Sequence, residues 1–323
     1  MKLRALTFVI VATGAQTLVA VEVDPALPRY ESHVIAFPKG ASYLTAKGEV
    51  AIVGYNDMQE MLAALGARFT ALHPEFHFAW DLPGTKAAPA ALAAGKSAFA
   101  PMGAEMTPPQ LAAYEAVTHA PPRMFRVAHA SLNPKALSGP LAIFVSGNNP
   151  LTSLTCAEAA AIFSGENREA GMKICGVESD AALGIFFRNG VMGGRPFAPD
   201  FVGYPQSADV VARIAADAHA IGFAAAMRAT PAVKILALAS RANEAPVELT
   251  EASLVAGRYP LDRCLLIGVR APVEPWLREF LRFVLSREGQ QLIAGSTLGY
   301  LPLNANDAAT ECRKLDARSM AAP

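Results

Sequence analysis

Val50-Ala51-Ile52-Val53-Gly54-Tyr55-Asn56-Asp57-Met58 opens the segment whose reading decides the fold. Its four apolar residues have the length and β-branched content of a buried strand, and Gly54 to Asp57 supply turn chemistry that ends it. From Met58 onward the apolar residues fall at Met61, Leu62, Leu65, Phe69 and Leu72, spacings of three and four that make one helical face. Asn56 or Asp57 is placed to cap that helix. Phe76 to Trp80 reads as the next strand, Gly84-Thr85-Lys86 as a turn, and Pro89 to Ala94 as a short helix stopped by Gly95. A strand near Phe99 follows, and Thr107-Pro108-Pro109-Gln110 then opens a helix as a capping box with proline in its first turn. Strand, loop and helix in repeated order predict an α/β fold whose mainly parallel sheet is covered by helices on both faces.

A second series begins beyond Ser131 to Pro140. Leu141 to Val145 is a strand, Thr155-Cys156-Ala157-Glu158 is another capping box, and its helix ends at Ser164-Gly165. Strands are expected at Met172 to Cys175, Ile221 to Ala225 and Val233 to Ala239, with helices at 180 to 189 and at Ser207 to Ala216. Cys264 to Val269 reads as a last strong strand, followed by helices Glu274 to Leu285 and Glu288 to Ala294. The stretch after Asn304 is polar and reads as a loosely ordered tail. No internal repeat occurs at a period of about 20 to 50 residues.

Composition narrows the function classes. The chain has 323 residues with 28 basic and 28 acidic side chains, and 52% of it is hydrophobic. That is too apolar for a disordered chain. It also carries no basic cluster that could hold a nucleic acid, whose phosphate backbone demands clustered Lys and Arg. Residues 1–20 have the charged head (Lys2, Arg4), short apolar stretch and small-residue exit of a signal peptide, with cleavage after Ala15 or after Ala20. The apolar stretch is short of the roughly 20 residues a membrane span needs. Removing Lys2 and Arg4 leaves 26 basic against 28 acidic residues, a net of −2. A periplasmic location follows as the expectation.

Cys156, Cys175, Cys264 and Cys312 are an even set, which in an exported chain permits two disulfides. The expected pairs are Cys156–Cys175, across a short helix and its return strand, and Cys264–Cys312, tying down the tail; buried free thiols are the alternative. Their spacing fits no zinc motif. His73-Pro74-Glu75-Phe76-His77 places two histidines four apart, but Pro74 breaks the helix that would aim both rings one way. A nucleophile elbow and a phosphate-binding P-loop are both missing, so no enzyme chemistry and no cofactor stand out. Trp80 and Trp276 fit element ends as packing residues.

The order of these pieces resembles the periplasmic solute-binding proteins of ABC importers, and more closely the phosphate-binding protein family. Four places carry the resemblance: Val53 to Met58 with its helix through Phe69; Asn149-Pro150 with Leu154-Thr155 and Ile162-Phe163-Ser164-Gly165; Tyr259-Pro260-Leu261-Asp262-Arg263; and Phe283 to Gln291 before Gly299-Tyr300-Leu301-Pro302-Leu303. It implies two lobes, 21–135 with 258–303 as the first and 136–257 inserted as the second, leaving 304–323 as the tail. Hinges are implied near 129–140 and 240–262.

Members of that family grip an oxyanion with backbone N–H groups and hydroxyls at helix N-termini. The resemblance therefore places the ligand at Tyr55, Asn56, Asp57, Gly84, Thr85, Lys86, Met102, Gly103, Asp180 and Arg188. The family's second-lobe arginine and Ser-Gly-Thr fall on Val177 and Ala181-Ala182-Leu183, and its aspartate on Ala98, so an arginine and two hydroxyls are missing. Lys86 is the replacement donor or a solvated turn lysine; Arg188 points at the cleft or lies on the helix surface. The implied function is a monomeric receptor for a small anion, phosphate or another oxyanion, with an ABC permease as partner. The alternative keeps the fold as an envelope binding or interaction module with a degenerate cleft.

Overall fold

The computed structural model describes residues 21–167, 169 and 171–317. The expected signal peptide lies outside the described residues. Among those residues no helix is long and apolar enough to cross a membrane.

The first series runs β1 (Val50–Val53), α1 (Gln59–Leu72), β2 (Phe78–Asp81), α2 (Ala88–Ala93), β3 (Ala100–Met102), α3 (Pro108–Thr118) and β4 (Arg123–Ser131). The second runs β5 (Leu141–Ser146), β6 (Ser153–Thr155), α4 (Cys156–Ser164), β7 (Lys173–Val177), α5 (Ala182–Gly190) and β8 (Val202–Tyr204). It continues through α6 (Ser207–Ala215), β9 (Ala220–Ala225), β10 (Val233–Ile235), β11 (Ala237–Ala239) and α7 (Glu251–Val255). The chain then returns with β12 (Leu265–Val269), α8 (Pro275–Val284), α9 (Arg287–Ala294), β13 (Tyr300–Leu301) and α10 (Ala305–Asp316). Both expected capping boxes form: Thr107 with Gln110 at α3, and Thr155 with Glu158 at α4.

Sheet order is β13-β4-β12-β3 with a separate β1-β2 pair on one side, and β10-β5-β9-β7-β8 with a β11-β6 pair on the other. The pairs β1–β2, β6–β11, β7–β8 and β7–β9 are parallel. The sheets are nonetheless mixed, because β4, β5 and β12, which carry the chain to or from the other half, pair antiparallel with their neighbours. The stretch expected as one strand, Val233 to Ala239, breaks at Leu236 so that β10 and β11 serve different sheets.

Two hydrophobic cores result. One holds residues from Leu141 to Leu261 together with Leu301. Its centre is a stack of rings, Phe187 on Phe223 at 4.2 Å and Phe197 on Phe201 at 4.2 Å. The other joins Tyr43 to Ala136 with Leu265 to Leu315 around Phe69, which meets Phe76 and Phe280 edge-on. The helical face read from the sequence, Met61, Leu62, Leu65 and Phe69, is the buried face of α1.

The segment read as a loose tail is instead helix α10. Asn304 caps it by accepting the Asp307 N–H, and buried Glu311 takes the Nε–H of Arg126 at 2.6 Å. The expected disulfides Cys156–Cys175 and Cys264–Cys312 are also overturned: all four cysteines are free. Each thiol has separate surroundings, so no two meet at the few-ångström Cβ separation a disulfide needs. Cys175 lies within the sheet with its thiol toward the Ile221 carbonyl, while Cys156 starts α4 in the field of Glu244. Cys264 donates toward Asp262 at 3.6 Å, whereas Cys312 packs beside Leu27, Leu285 and Leu303.

Buried Gln290 pins the segments of the discontinuous half together. Its amide donates to the carbonyls of Val127 and Val284 at 3.1 and 2.9 Å, and its oxygen accepts the Leu303 N–H at 2.7 Å. Replacement by leucine strands three backbone groups. Gln290→Leu is expected to cost about 1–3 kcal/mol for each group left unpaired, read as a lower urea midpoint at unchanged slope.

Candidate functional site

The two halves meet where β4 leaves the first and β12 returns to it, and a polar network fills that junction. Its floor is the turn after β1. Tyr55 is buried, and its hydroxyl lies 2.9 Å from the Ser138 Oγ on the outgoing crossing. Ser138 in turn donates to the Gly103 carbonyl at 3.0 Å. Thr85 Oγ1 accepts the Gly103 N–H at 3.0 Å. Asp57 Oδ2 accepts the Tyr300 hydroxyl at 2.8 Å and the Leu137 N–H at 2.6 Å. One carboxylate thus holds the first turn, the crossing and β13 in register.

Two glycines are required by this arrangement. Gly84 sits at φ +131°, a backbone setting side chains rarely allow, and its N–H reaches the Gly54 carbonyl at 2.8 Å. A Cβ on Gly103 would lie 2.4 Å from the Tyr55 ring. The Tyr55 ring therefore occupies the space a side chain at position 103 would need.

Arg263 closes the network from the return crossing. It is 7% exposed, its Nη2 donates to the Gly103 carbonyl at 3.3 Å, and its guanidinium lies 5.7 Å from the centre of the Phe186 ring. Among the described residues no carboxylate comes within ion-pair distance of it, and its other N–H groups make no hydrogen bond. Burial pulls its pKa down, opposed at longer range by Glu105, Tyr55, Tyr300 and Asp262. The group stays charged, because an arginine is deprotonated only far above neutrality. Burial, opposed by its bond with Ser138, raises the Tyr55 phenol; burial, reinforced by Tyr55 and Asp57, raises that of Tyr300. Both therefore remain neutral hydroxyls able to donate.

A cleft of about 480 Å³ opens between the halves, and Phe186, whose ring carries the Arg263 guanidinium, is one of its walls. Ala104, Glu105, Met106 and Leu111 line it from the first, and Ala182, Ile185, Phe186 and Asn189 from the second. Helix α5 begins at Ala181 with no side-chain cap, so its first N–H groups have no side-chain acceptor there.

Of the residues the sequence pointed to, Tyr55, Asp57, Thr85, Gly84 and Gly103 are thus gathered into this junction. Asn56 and Lys86 are exposed on short turns, and Asp180 is exposed ahead of α5. Met102 is fully buried in the small core with Ala88, Leu92 and Tyr114. Arg188 is half-buried near the end of α5. Ser138, Phe186, Arg263 and Tyr300 complete the site and were not singled out as ligands. Arg263 and Tyr300 stand in the Tyr-Pro-Leu-Asp-Arg and Gly-Tyr-Leu-Pro-Leu stretches, so the available signal was an arginine embedded in an apolar stretch at a crossing.

Comparison with known proteins places the arrangement. A family profile described as PBP superfamily domain matches residues 40–288. A protein named phosphate-binding protein PstS, from Pseudomonas aeruginosa, is 30% identical and aligns with 96% of this chain and 97% of its own length. The crystal structure of an ABC-type phosphate transport receptor from Vibrio cholerae aligns with 78% of this chain and 98% of its own, at TM-score 0.51 and 20% identity. The crystal structure of PstS from Borrelia burgdorferi covers 79% of this chain and 99% of its own, at TM-score 0.52 and 16% identity. At such identities these two structures speak to the fold, a pair of α/β lobes.

Asp57 supplies a direct test of the junction. Asp57→Ala leaves the Leu137 N–H and the Tyr300 hydroxyl without their acceptor, and a loss of about 1–3 kcal/mol is expected in chemical denaturation. Asp57→Asn keeps an acceptor oxygen and should recover part of that loss.

Proposed function

The chain belongs to the PBP superfamily and, within it, to the phosphate-binding protein family, and on that footing we propose that it is a periplasmic receptor holding a small oxyanion between its lobes. Phosphate is the first ligand to try, since the relatives carry that name. The observation that carries the reading is Arg263: a cation 7% exposed, at the lobe junction, with no carboxylate paired to it among the described residues. A buried charge is costly unless compensated, and a bound anion supplies the compensation. Arg263 thus takes over the work of the second-lobe arginine whose place holds Val177.

Two separate cores support a division into two lobes, with the exchange of chain between them falling after Ala136 on the way out and after Leu261 on the return. Opening and closing would bend the crossings near 129–140 and 240–262, and the closed receptor would be handed to an ABC permease.

A second reading has its own observation. The donors of the first lobe are already engaged, Gly103 N–H with Thr85 and Tyr55 with Ser138, and the second-lobe wall is Ala182, Ile185 and Phe186. A receptor with those features could be a binding module whose cleft no longer takes an oxyanion.

Thermal denaturation and calorimetry with inorganic phosphate, sulfate, arsenate and molybdate separate the two. Saturation at 100 times the dissociation constant adds about 2.7 kcal/mol of stability. Arg263→Met, which keeps the contact with Phe186, should weaken binding by roughly 10- to 150-fold, the worth of about 1.5–3 kcal/mol from charged hydrogen bonds. Lys86→Ala should change it by less than about 5-fold, as an exposed charge does. No response to any oxyanion by the folded protein would establish the second reading.

A further inference from the structure

Behind the anion cleft, on the same two crossings, lies a second group of chemistry-bearing side chains. His129 is near the end of β4, while Asp262 and Cys264 flank Arg263 just before β12. The antiparallel ladder that pairs Leu265 with Ala128 brings them side by side. One donor atom from each of His129, Asp262 and Cys264 lies within 4.8 Å of the others. His129 Nδ1 is 2.6 Å from Asp262 Oδ2, and the Cys264 thiol is 3.6 Å from the same oxygen.

We propose that His129, Asp262 and Cys264 bind a single divalent cation of the zinc type at the point where the chain passes between lobes. A thiolate, an imidazole and a carboxylate form the mixed S, N, O set that suits zinc and disfavours magnesium or calcium.

Three further observations fit. The first is the outer face of His129: its side chain is 2% exposed, and its Nε2 is buried with no hydrogen-bond partner. The nearest charge is Asp307 Oδ2 at 3.6 Å. A metal-bound imidazole turns its other N–H toward a carboxylate in this way, which fixes the ring and raises its basicity.

The second is charge. Asp307 and Glu311 already have Arg126, and Glu311 has Lys314 as well, whereas among the described residues Asp262 pairs with His129 alone. Asp262 is the carboxylate for which a metal cation is the natural counter-charge.

The third is the thiol. The Cys264 thiol is half-buried and donates toward Asp262 Oδ2 at 3.6 Å, which aims the sulfur at the same carboxylate oxygen that His129 meets. A cation held among the three would take the place of both contacts. On loading, the thiol proton leaves to solvent and sulfur takes the metal in its place, while the imidazole binds through Nδ1 and keeps its one proton on Nε2, the side that faces Asp307.

The test uses the full chain, freed of metal by chelator under reducing conditions and titrated with Co²⁺. One equivalent should produce a thiolate-to-cobalt charge-transfer band in the near ultraviolet, which Zn²⁺ then abolishes by displacement. Cys264→Ser should lose the band, while Cys156→Ser and Cys312→Ser keep it. Asp307→Asn should weaken affinity by roughly 10- to 100-fold. In the unsubstituted protein Zn²⁺ should slow alkylation of Cys264, read peptide by peptide, which does not depend on any variant folding. A folded protein with no thiolate band, a band that survives Cys264→Ser, or alkylation at equal rates with and without Zn²⁺ overturns the proposal. His129 would then be an imidazole bridging Asp262 and Asp307 and nothing more.

Discussion

A guanidinium withdrawn from water at the meeting of two lobes imposes the central constraint on this molecule. Removing such a charge from solvent costs several kcal/mol unless the surroundings replace its hydration. Here the replacement is partial: one carbonyl, Gly103, and the face of one ring, Phe186. Each comes from a different lobe. Arg263 therefore touches both halves at once, and in the proposed function an anion between them would complete its solvation.

Around that arginine the junction is tied by side chains that bridge distant segments. Asp57 ties the first turn to the outgoing crossing and to β13, and Ser138 links Tyr55 to Gly103. Farther back, single buried polar side chains join segments far apart in sequence. Gln290 joins α9 to β4 and to Leu303; Glu311 joins α10 to β4 through Arg126; Glu279 takes the Tyr30 hydroxyl at 2.7 Å and the His33 N–H at 3.0 Å. A lobe assembled from discontinuous pieces needs such links, because apolar packing alone does not specify which piece lies where.

Local signals were legible wherever a short stretch decides its own state. The helical face of α1, the capping boxes of α3 and α4 and the strand β1 all depend on neighbours within a turn or two. Strand β4 has no alternation to announce it: arginines stand at 123 and 126, and from Val127 to Ser131 every residue is buried. Helix α10 reads as a tail because its sequence is mostly polar. It is held by Asn304 and by a buried glutamate whose partner lies 185 residues away. The cysteines misled for the same reason: an even count describes composition, while a disulfide needs two sulfurs in one place.

What the sequence determined by itself was the family, the two-series α/β order and the turn at Gly54 to Asp57, since these follow from periodicity, turn chemistry and motifs contained in short windows. Which side chains of that turn remain free, and that Arg263 at the crossing is buried against Gly103 and Phe186 with no carboxylate paired to it among the described residues, was decided only by tertiary structure. Desolvation and pairing depend on distance in space, and the groups that set them here come from positions 55, 103, 138, 186 and 263 of one chain.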